Sequence, residues 1–260
     1  MQNPLDMQGR LVIVTGGARG VGAGITRCFL EAGADVVVIG RSAPETPVHA
    51  GGRDAGFQAA DVRDPEQLAA AFTAIAERHG RIDVLVNNAG GSPSAEAATA
   101  SPRFAESIIR LNLLAPLNAA QCANRVMQQQ PEGGTIINIA SVSAIRPSPG
   151  TAAYGAAKAG LVNLTTSLAV EWAPKVRVVA VISGLVETEQ SHMHYGDADG
   201  IAAVGRTIPL GRMAVPGDIG QACLFLASPM AAYVSGSALT VHGGGEAPAY
   251  LAASNATPKQ

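Results

Sequence analysis

Short apolar runs rich in Val and Ile alternate along the chain with longer Ala- and Leu-rich segments of helical period. This alternation is typical of repeated strand–helix units that build a parallel sheet. The predicted strands are Leu11–Thr15, Asp35–Ile39, Gly56–Ala60, Val84–Asn87, Thr135–Ala140, Arg177–Ile182 and Ala238–Val241. The predicted helices are Gly22–Ala32, Pro65–His79, Pro102–Gln129, Thr151–Ala173 and Pro216–Leu226. The pattern therefore predicts an α/β fold with a doubly wound, seven-stranded parallel sheet, in a single domain over residues 1–260.

Two segments depart from this rhythm. Glu187–Arg212 clusters His, Met, Tyr, Gly and Asp and contains no clear strand. Because an irregular insertion after the carboxyl end of a strand lies where ligands bind, residues 185–212 are expected to form a substrate lid. The tail 246–260 contains Pro248 and ends in polar residues, so its final residues are expected to be mobile.

The composition excludes several classes of protein. Hydrophobic residues make up 47% of the chain and the formal net charge is -2, which predicts a buried core and no nucleic-acid surface. Cys28, Cys122 and Cys223 are scattered without metal-ligand spacing, so buried, reduced thiols and no bound metal are expected. Because no signal-like or membrane-spanning run is found, the chain is predicted to be soluble and cytoplasmic, with no membrane partner.

A glycine-rich segment, residues 15–22, follows the first predicted strand directly and leads into a helix. Glycine lets the backbone approach a pyrophosphate, and a helix N-terminus offers unpaired N–H groups and a positive dipole end. The segment is a candidate dinucleotide site, although a tight strand–helix turn would explain the same glycines.

The ends of the next two strands bear on the identity of the dinucleotide. Arg41, where an acidic residue would favour NAD, and Arg19 in the glycine segment both offer donors suited to a 2′-phosphate. NADP(H) is therefore predicted as the preferred cofactor, with NAD(H) possible, unless both arginines are simply solvated. Asp61 and Val62 are placed to contact adenine, although Asp61 or Asp64 would also serve as a helix cap.

Tyr154 and Lys158 lie four residues apart in a predicted helix and therefore share one face. A nearby ammonium favours the phenolate and is expected to lower the pKa of the Tyr154 phenol. The pair is therefore predicted to act in acid/base catalysis.

Taken together, Thr15-Gly16-x3-Gly20-x-Gly22, Asn87-Asn88-Ala89-Gly90, Ser141 and Tyr154-x3-Lys158 resemble the short-chain dehydrogenase/reductase family from about residue 5 to residue 245. The resemblance implies a Rossmann fold, a nicotinamide cofactor, a carbonyl/alcohol reaction and usually a homotetramer. It implies that Tyr154 is the acid/base, that Lys158 lowers its pKa and binds the ribose, and that Ser141 polarises the substrate. Ser143 is a possible secondary contact. The implied cofactor contacts are Gly16, Arg19, Gly20, Val21, Gly22, Arg41, Asp61, Val62, Asn87, Gly90, Tyr154, Lys158, Gly184, Val186 and Thr188, with Asn88 mainly structural.

Asn112 matches the asparagine that anchors a proton-relay water in this family. Pro116 follows four residues later and has no N–H to donate to the Asn112 carbonyl, which leaves that carbonyl free to bind water. A proline that merely kinks a packed helix would explain the same residue.

The chain departs from the family at Ser183-Gly184, where a Pro-Gly pair is usual, and at His242, where an aspartate is usual. We expect His242 to act in capping or subunit contact. Gln128–Glu132 lack the basic residues that would dock an acidic carrier protein, so such docking is disfavoured.

The resemblance implies hydride transfer between NAD(P)(H) and a moderately apolar ketone or secondary alcohol, in a direction that the sequence does not fix. A same-fold lyase, epimerase or dehalogenase, or a catalytically idle cofactor-sensing protein, would keep the same fold.

Overall fold

The computed structural model describes residues 3–255, so the expectation for the last residues of the tail, 256–260, lies outside the described residues. The strands are β1 (Leu11–Thr15), β2 (Asp35–Gly40), β3 (His49–Ala50), β4 (Arg53–Asp54), β5 (Gly56–Ala59), β6 (Val84–Asn87), β7 (Gly134–Ser141), β8 (Val176–Ser183) and β9 (Ala238–Val241). The α-helices are α1 (Gly20–Glu31), α2 (Pro65–His79), α3 (Pro102–Ile109), α4 (Ala115–Met127), α5 (Ala152–Glu171), α6 (His192–Tyr195), α7 (Ala198–Arg206), α8 (Pro216–Ala227) and α9 (Ala249–Ala253).

Seven of these strands form one parallel sheet in the order β5-β2-β1-β6-β7-β8-β9. The order reverses direction at β1, which is the mark of a doubly wound fold and confirms the predicted architecture. The antiparallel hairpin of β3 and β4 was not predicted, because each of its strands has only two residues and leaves no periodic pattern.

Alternate side chains of the strands enter two separate cores, one on each face of the sheet. Val12 and Val14 of β1 pack in the core that also contains residues of α1 and α8. Leu11 and Ile13 pack on the opposite face with residues of α2, α4 and α5. Because both faces are covered, the strands read as continuous apolar runs rather than alternating ones.

The three cysteines are buried and free, as predicted. None of the helices in the described part of the chain is both long and apolar enough to cross a bilayer.

The prediction of one continuous helix over Pro102–Gln129 is wrong. The structure divides it into α3, a π-helix over Arg110–Leu114, and α4. In the π-helix the N–H of Ala115 donates to the carbonyl of Arg110, a spacing of five residues rather than four. The change in spacing occurs just before Pro116, which has no N–H to continue an α-helical ladder.

The segment that follows β8 is also more regular than the sequence suggests, because it contains α6 and α7. Asp197 caps α7 by accepting from the N–H of Gly200 at 3.0 Å. Both helices are short, and glycines within and between them weaken the helical pattern.

Asp83 holds the edge of the sheet that lies opposite the site described below. Its side chain is only 6% exposed and accepts from Arg10 Nη1 at 2.9 Å, Arg81 Nε at 2.7 Å and the N–H of Leu11 at 2.8 Å. Burial alone would raise the pKa of Asp83, but the hydrogen bonds from Arg81, Leu11 and Arg10 outweigh it and hold the pKa below its ordinary value. The carboxylate therefore ties the start of β1 to the start of β6.

We expect Asp83→Asn to lower the free energy of unfolding by about 2–4 kcal/mol, because it removes the charge that satisfies two guanidinium groups and a backbone N–H. Asp35→Asn is the matched control: Asp35 pairs with Arg53 at 3.0 Å but lies in solvent, so its loss should cost less than about 1 kcal/mol. Urea denaturation at neutral pH measures both. Equal losses in the two variants would contradict the role given to Asp83.

Candidate active site

The carboxyl ends of β1, β6, β7 and β8 meet at one edge of the sheet. The register pairs Asn87 of β6 with Asn138 of β7, and Ser141 of β7 with Ser183 of β8. The glycine-rich segment follows β1 at this edge, and Gly184 follows β8. Ligands of doubly wound folds bind at this edge, so the topology brings the predicted site residues to one place.

The glycine-rich segment makes a backbone approach that only glycine permits. A Cβ on Gly22 would lie 2.2 Å from the carbonyl oxygen of Gly16 and 2.5 Å from Asn88 Nδ2. Gly16 itself has a φ of 64°, in the left-handed region. Asn88 Nδ2 donates to the carbonyls of Thr15 and Gly16 at 3.0 and 3.2 Å, which is the structural role expected for Asn88.

Helix α1 begins at Gly20, two residues earlier than predicted. Arg19 precedes it and provides no side-chain cap, and the first turn contains no acidic residue. The first turn, which holds Gly20, Val21 and Gly22, thus presents its N–H groups and a positive dipole end to the glycine-rich segment, with no acidic residue of its own. These residues fit the pyrophosphate of a dinucleotide.

The adenosine side of the site is rich in arginine. Arg19 and Arg41 are exposed, and among the ion pairs of residues 3–255 neither has a carboxylate partner. A third arginine, Arg63, was not anticipated: its Nε and Nη2 hold Asp61 at 2.9 and 2.6 Å. The hydrogen bond from Arg63 lowers the pKa of Asp61 to about 2, with a smaller contribution from Arg41.

The sequence left two roles open for Asp61 and Asp64, contact with adenine and capping of a helix, and the structure assigns the cap to Asp64. Asp64 caps α2 by accepting from the N–H groups of Glu66 and Gln67 at 3.0 and 3.2 Å. Asp61 is instead shared with Arg63, so an adenine amino group would have to share its carboxylate. Val62 is buried in the core, which leaves only its backbone for a cofactor.

Tyr154, Ser141 and Lys158 converge where β7 ends and α5 begins. The Ser141 hydroxyl accepts from the N–H of Ser143 at 3.2 Å and lies close enough to the Tyr154 phenol to lower its pKa. Lys158 is buried; its Nζ donates to the carbonyl of Ile139 at 2.7 Å and lies 5.6 Å from the centre of the Tyr154 ring. The phenol, the hydroxyl and the ammonium therefore share one enclosed corner.

The pKa shift predicted for Tyr154 is wrong in direction. Burial raises the pKa of the Tyr154 phenol, and the hydrogen bond with Ser141 opposes this rise only in part. The ammonium lies beside the ring and is directed to Ile139, while its own burial lowers the pKa of Lys158 to about 8. Burial disfavours the charged form of each group and is the largest cause of both pKa shifts.

Asn112 lies in the π-helix and is fully buried. Its Oδ1 accepts from the N–H of Gly91 at 2.9 Å, and its Nδ2 donates to the carbonyls of Gly91 and Ile108 at 2.9 and 3.0 Å. A Cβ on Gly90 would lie 2.7 Å from Asn112 Oδ1 and 3.3 Å from Lys158 Nζ. The side chain thus brings the loop after β6 against Lys158; a water on the Asn112 carbonyl stays a prediction.

Asn87 was expected to contact the cofactor, but its side chain turns into the protein. Nδ2 donates to the carbonyl of Pro116 at 3.1 Å and to Asn138 Oδ1 at 2.9 Å, and Asn138 in turn donates to Thr165 at 2.9 Å. Asn87 Oδ1 is buried without a hydrogen-bond partner. Any cofactor contact of Asn87 would therefore come from its backbone.

Serine stands at the end of β8 where a proline is usual, and close contacts define the turn that follows. The Ser183 hydroxyl donates to the carbonyl of Gly184 at 3.2 Å. A Cβ on Gly184 would lie 2.8 Å from His242 Cα, so only glycine fits where β8 and β9 end. Val186 then bridges to Ala214, and the N–H of Thr188 donates to Ser191 Oγ at 2.9 Å.

A cavity of about 270 Å³ lies between the segment after β7 and the segment predicted to form the lid, which contributes Leu185 and Ile208. Its lining is Val142, Ile145, Arg146, Gly184, Leu185, Ile208, His242, Gly244, Gly245 and Glu246. Arg146 Nη2 and Glu246 Oε1 pair at 2.7 Å and form its polar end. Sequence reasoning missed Arg146 and Glu246, because 100 residues separate them and no motif links them.

His242 lines this cavity, and its carbonyl accepts from the N–H of Gly245 at 3.0 Å. Its ring packs against the glycine turn, since a Cβ on Gly245 would lie 3.3 Å from His242 Nε2.

Within residues 3–255 no cluster of three or more His, Cys, Asp or Glu side chains could hold a metal ion.

Comparisons with known proteins agree with this geometry. A family profile described as enoyl-(acyl carrier protein) reductase matches residues 16–246. A 3α-hydroxysteroid dehydrogenase of Mediterraneibacter gnavus is 36% identical over 254 residues, covering 91% of this chain and 97% of the relative. A 3-oxoacyl-[acyl-carrier-protein] reductase of Chlamydia trachomatis is 34% identical over 249 residues, covering 92% and 99%.

One curated relative is longer than this chain. It is an uncharacterised short-chain type dehydrogenase/reductase of Sinorhizobium fredii, 36% identical over 91% of this chain, and the match spans 43% of the relative's length. Among solved structures, a putative short-chain alcohol dehydrogenase of Sinorhizobium meliloti superposes with a TM-score of 0.87 at 36% identity, covering 96% of this chain and 99% of that one.

The buried lysine generates a prediction about pH. The pKa of Lys158 is about 8 in the folded protein, whereas that of an unfolded lysine is about 10.4. A depressed folded pKa means that the unfolded chain binds the extra proton between these values, so the Lys158 contribution to stability rises with pH across this window and is lost as pH falls through 8.

Lys158→Met has no such proton to release. We expect the stability of the wild type minus that of the variant to rise by on the order of 3 kcal/mol between about pH 7 and pH 11. Urea denaturation at a series of pH values measures the difference, and near-ultraviolet circular dichroism checks that both proteins are folded at each pH. A difference that stays flat with pH would contradict the burial of this lysine.

Proposed function

We propose a function from one premise: the chain belongs to the short-chain dehydrogenase/reductase family. The protein transfers a hydride between NAD(P)(H) and a ketone or secondary alcohol, with Tyr154 as the acid/base. The observation that carries this proposal is the convergence of Tyr154, Ser141 and Lys158 at the carboxyl edge of the sheet, near a cavity of about 270 Å³ whose lining begins at Val142.

The nicotinamide ring, when bound, supplies or accepts the hydride. In the reducing direction the Tyr154 phenol donates its proton to the carbonyl oxygen, and the Ser141 hydroxyl donates a hydrogen bond to the same oxygen. The N–H of Ser143 orients Ser141 for this task. Lys158, held by the carbonyl of Ile139, keeps a positive charge beside the phenol as negative charge develops.

The cofactor is held along the edge of the sheet. The first turn of α1 binds the pyrophosphate, Asp61 and the backbone of Val62 contact the adenine, and the backbone of Asn87 and the Gly90 loop line the cleft. Gly184, Val186 and Thr188 border the nicotinamide. Arg19 and Arg41, both exposed and unpaired within the described residues, bind a 2′-phosphate, so NADP(H) is preferred.

The cavity suits a moderately apolar substrate. Val142, Leu185 and Ile208 form its walls, and the Arg146–Glu246 pair supplies donors and acceptors at one end. A thioester on a carrier protein, the substrate class in the names of the family profile and the Chlamydia relative, is a second candidate.

A carrier protein is disfavoured by the surface at the end of α4. Gln128 donates to the Trp172 carbonyl at 3.0 Å, and Lys175 Nζ donates to the carbonyl of Gln130 at 2.7 Å, so the single lysine of this region is already engaged. The last turn of α4 adds one further basic residue, Arg125, so an acidic carrier would meet two separate positive charges rather than a basic patch.

Assembly and location are further parts of the proposal. Tyr233, Val170 and Met230 are large apolar residues exposed on this chain, which supports burial against other subunits in a homotetramer. A cytoplasmic location follows from the reduced, unpaired cysteines.

The role of Tyr154 is tested by Tyr154→Phe, which removes only the phenolic oxygen. We expect kcat to fall by about 10²–10⁴-fold while the Kd for NADPH stays within about twofold. A panel of cyclic ketones, aryl ketones and the matching secondary alcohols, followed by absorbance of the reduced nicotinamide, measures the rate. Tyr250→Phe, an exposed tyrosine to which no role is assigned, is the control and should be silent.

Three outcomes would contradict this role. A variant as active as the wild type would exclude Tyr154 as the acid/base. Tight binding of NADPH without turnover of any carbonyl in the wild type would instead favour a cofactor-sensing protein, and turnover with catalytic rather than stoichiometric NADPH would favour an epimerase or lyase.

The cofactor preference is tested by parallel calorimetric titrations with NADPH and NADH at one salt concentration. We expect NADPH to bind at least about tenfold tighter, a difference of about 1.4 kcal/mol, and Arg41→Ala to abolish most of that preference. Arg78→Ala, an exposed arginine at the end of α2, is the matched control. Tighter binding of NADH would mean that Arg19 and Arg41 are merely solvated.

A further inference from the structure

The first turn of α1 receives a carboxylate from a distant part of the chain. Gly20 N–H donates to Glu189 Oε1 at 3.1 Å, and the two residues are 169 positions apart. Glu189 lies in the lid, directly after Thr188. The contact is therefore a tertiary one, and the sequence gives no hint of it.

This contact satisfies a helix end that otherwise has no cap. Arg19 contributes no side-chain acceptor, and the first turn has no acidic residue of its own. A carboxylate at the N-terminus of a helix is stabilised by the free N–H groups and by the helix dipole. Glu189 therefore supplies the negative charge that this end of α1 attracts.

A dinucleotide would present its pyrophosphate to the same N–H groups, because phosphates bind helix N-termini through those groups. This step rests on the proposed function. One N–H cannot serve Glu189 and a phosphate oxygen equally well, and two anions at this short range repel each other. The carboxylate and the cofactor compete for Gly20.

The lid can release Glu189 without moving its backbone. The N–H of Glu187 donates to the carbonyl of Ala214 at 2.8 Å, and the N–H of Thr188 donates to the buried Ser191 at 2.9 Å. The Glu189 side chain is exposed, so rotation about its own bonds carries the carboxylate into water. Displacement therefore costs one hydrogen bond and leaves the lid anchored.

We propose that Glu189 is an internal competitor of the cofactor pyrophosphate and thereby sets cofactor affinity. The competitor stabilises α1 when no anion is bound and weakens dinucleotide binding by the same contact. The role belongs to the negative charge of Glu189, not to the lid as a whole.

The test uses the full chain and three variants: Glu189→Gln removes the charge, Glu189→Ala removes the side chain, and Glu187→Gln makes the same charge change two residues away on an exposed side chain. The probes are ADP-ribose, which carries the pyrophosphate, and adenosine, which does not. Calorimetry gives the Kd of each probe, and thermal unfolding of the unliganded proteins gives Tm.

We expect both Glu189 variants to bind ADP-ribose about 3- to 10-fold tighter than the wild type, with adenosine unchanged and Glu187→Gln like the wild type. The unliganded Glu189→Ala protein should have a lower Tm, because α1 loses its cap. A gain in affinity together with a loss of stability separates competition from a merely structural role, which would weaken both. The gain should shrink at high salt, where exposed charges are screened.

The failures are distinguishable. If ADP-ribose binds the wild type and the Glu189 variants equally well, the competition is excluded and the proposed function is untouched. If ADP-ribose binds none of these proteins, both the dinucleotide site and the role of Glu189 are overturned.

Discussion

The site depends on one buried side-chain amide. Asn112 makes three hydrogen bonds in a place that water does not reach, two of them to the backbone of Gly91 and one to Ile108. Each bond is expensive to lose because nothing replaces it. The amide therefore fixes the loop after β6 to the π-helix, and this loop then brings Gly90 against Lys158.

The same loop is fixed on its other side by glycine. Asn88 reaches the carbonyls of Thr15 and Gly16, and Gly22 comes so close to Gly16 that no Cβ fits between them. The Asn88 contacts join the segment after β1 to the segment after β6, and the close approach of Gly22 to Gly16 holds the first of these segments in shape. The glycine-rich segment, the π-helix and the corner of Tyr154, Ser141 and Lys158 are thus one connected unit, in which a backbone displacement at any point would also move Lys158.

How far the sequence predicts this structure follows from the range of the forces involved. The bounds of β1, β6, β9 and α2 agree with the sequence, because local apolar patterns and turn residues specify them. Pro116 marks the break in the long helix, but the π-helix depends on the bonds of Asn112 to Gly91, which no local pattern reveals. The pairing of Arg146 with Glu246 in the cavity wall is likewise not predictable from any local pattern.

The direction of the Tyr154 pKa shift depends on burial, which spacing along the sequence does not reveal. Spacing alone brings the ammonium near the phenol, but burial is a tertiary property, and it raises the pKa of Tyr154 while it lowers that of Lys158 to about 8. Burial penalises a lone charge on either group, whereas a phenolate and an ammonium together attract each other strongly in a low dielectric.

Under the proposed function, Tyr154 and Lys158 affect each other most while the proton is being transferred. As the phenol gives up its proton, the ammonium 5.6 Å from the ring centre becomes harder to deprotonate, and the pair is stabilised as charge develops rather than before. The enclosure that disfavours each charge alone is what makes the pair suited to proton transfer.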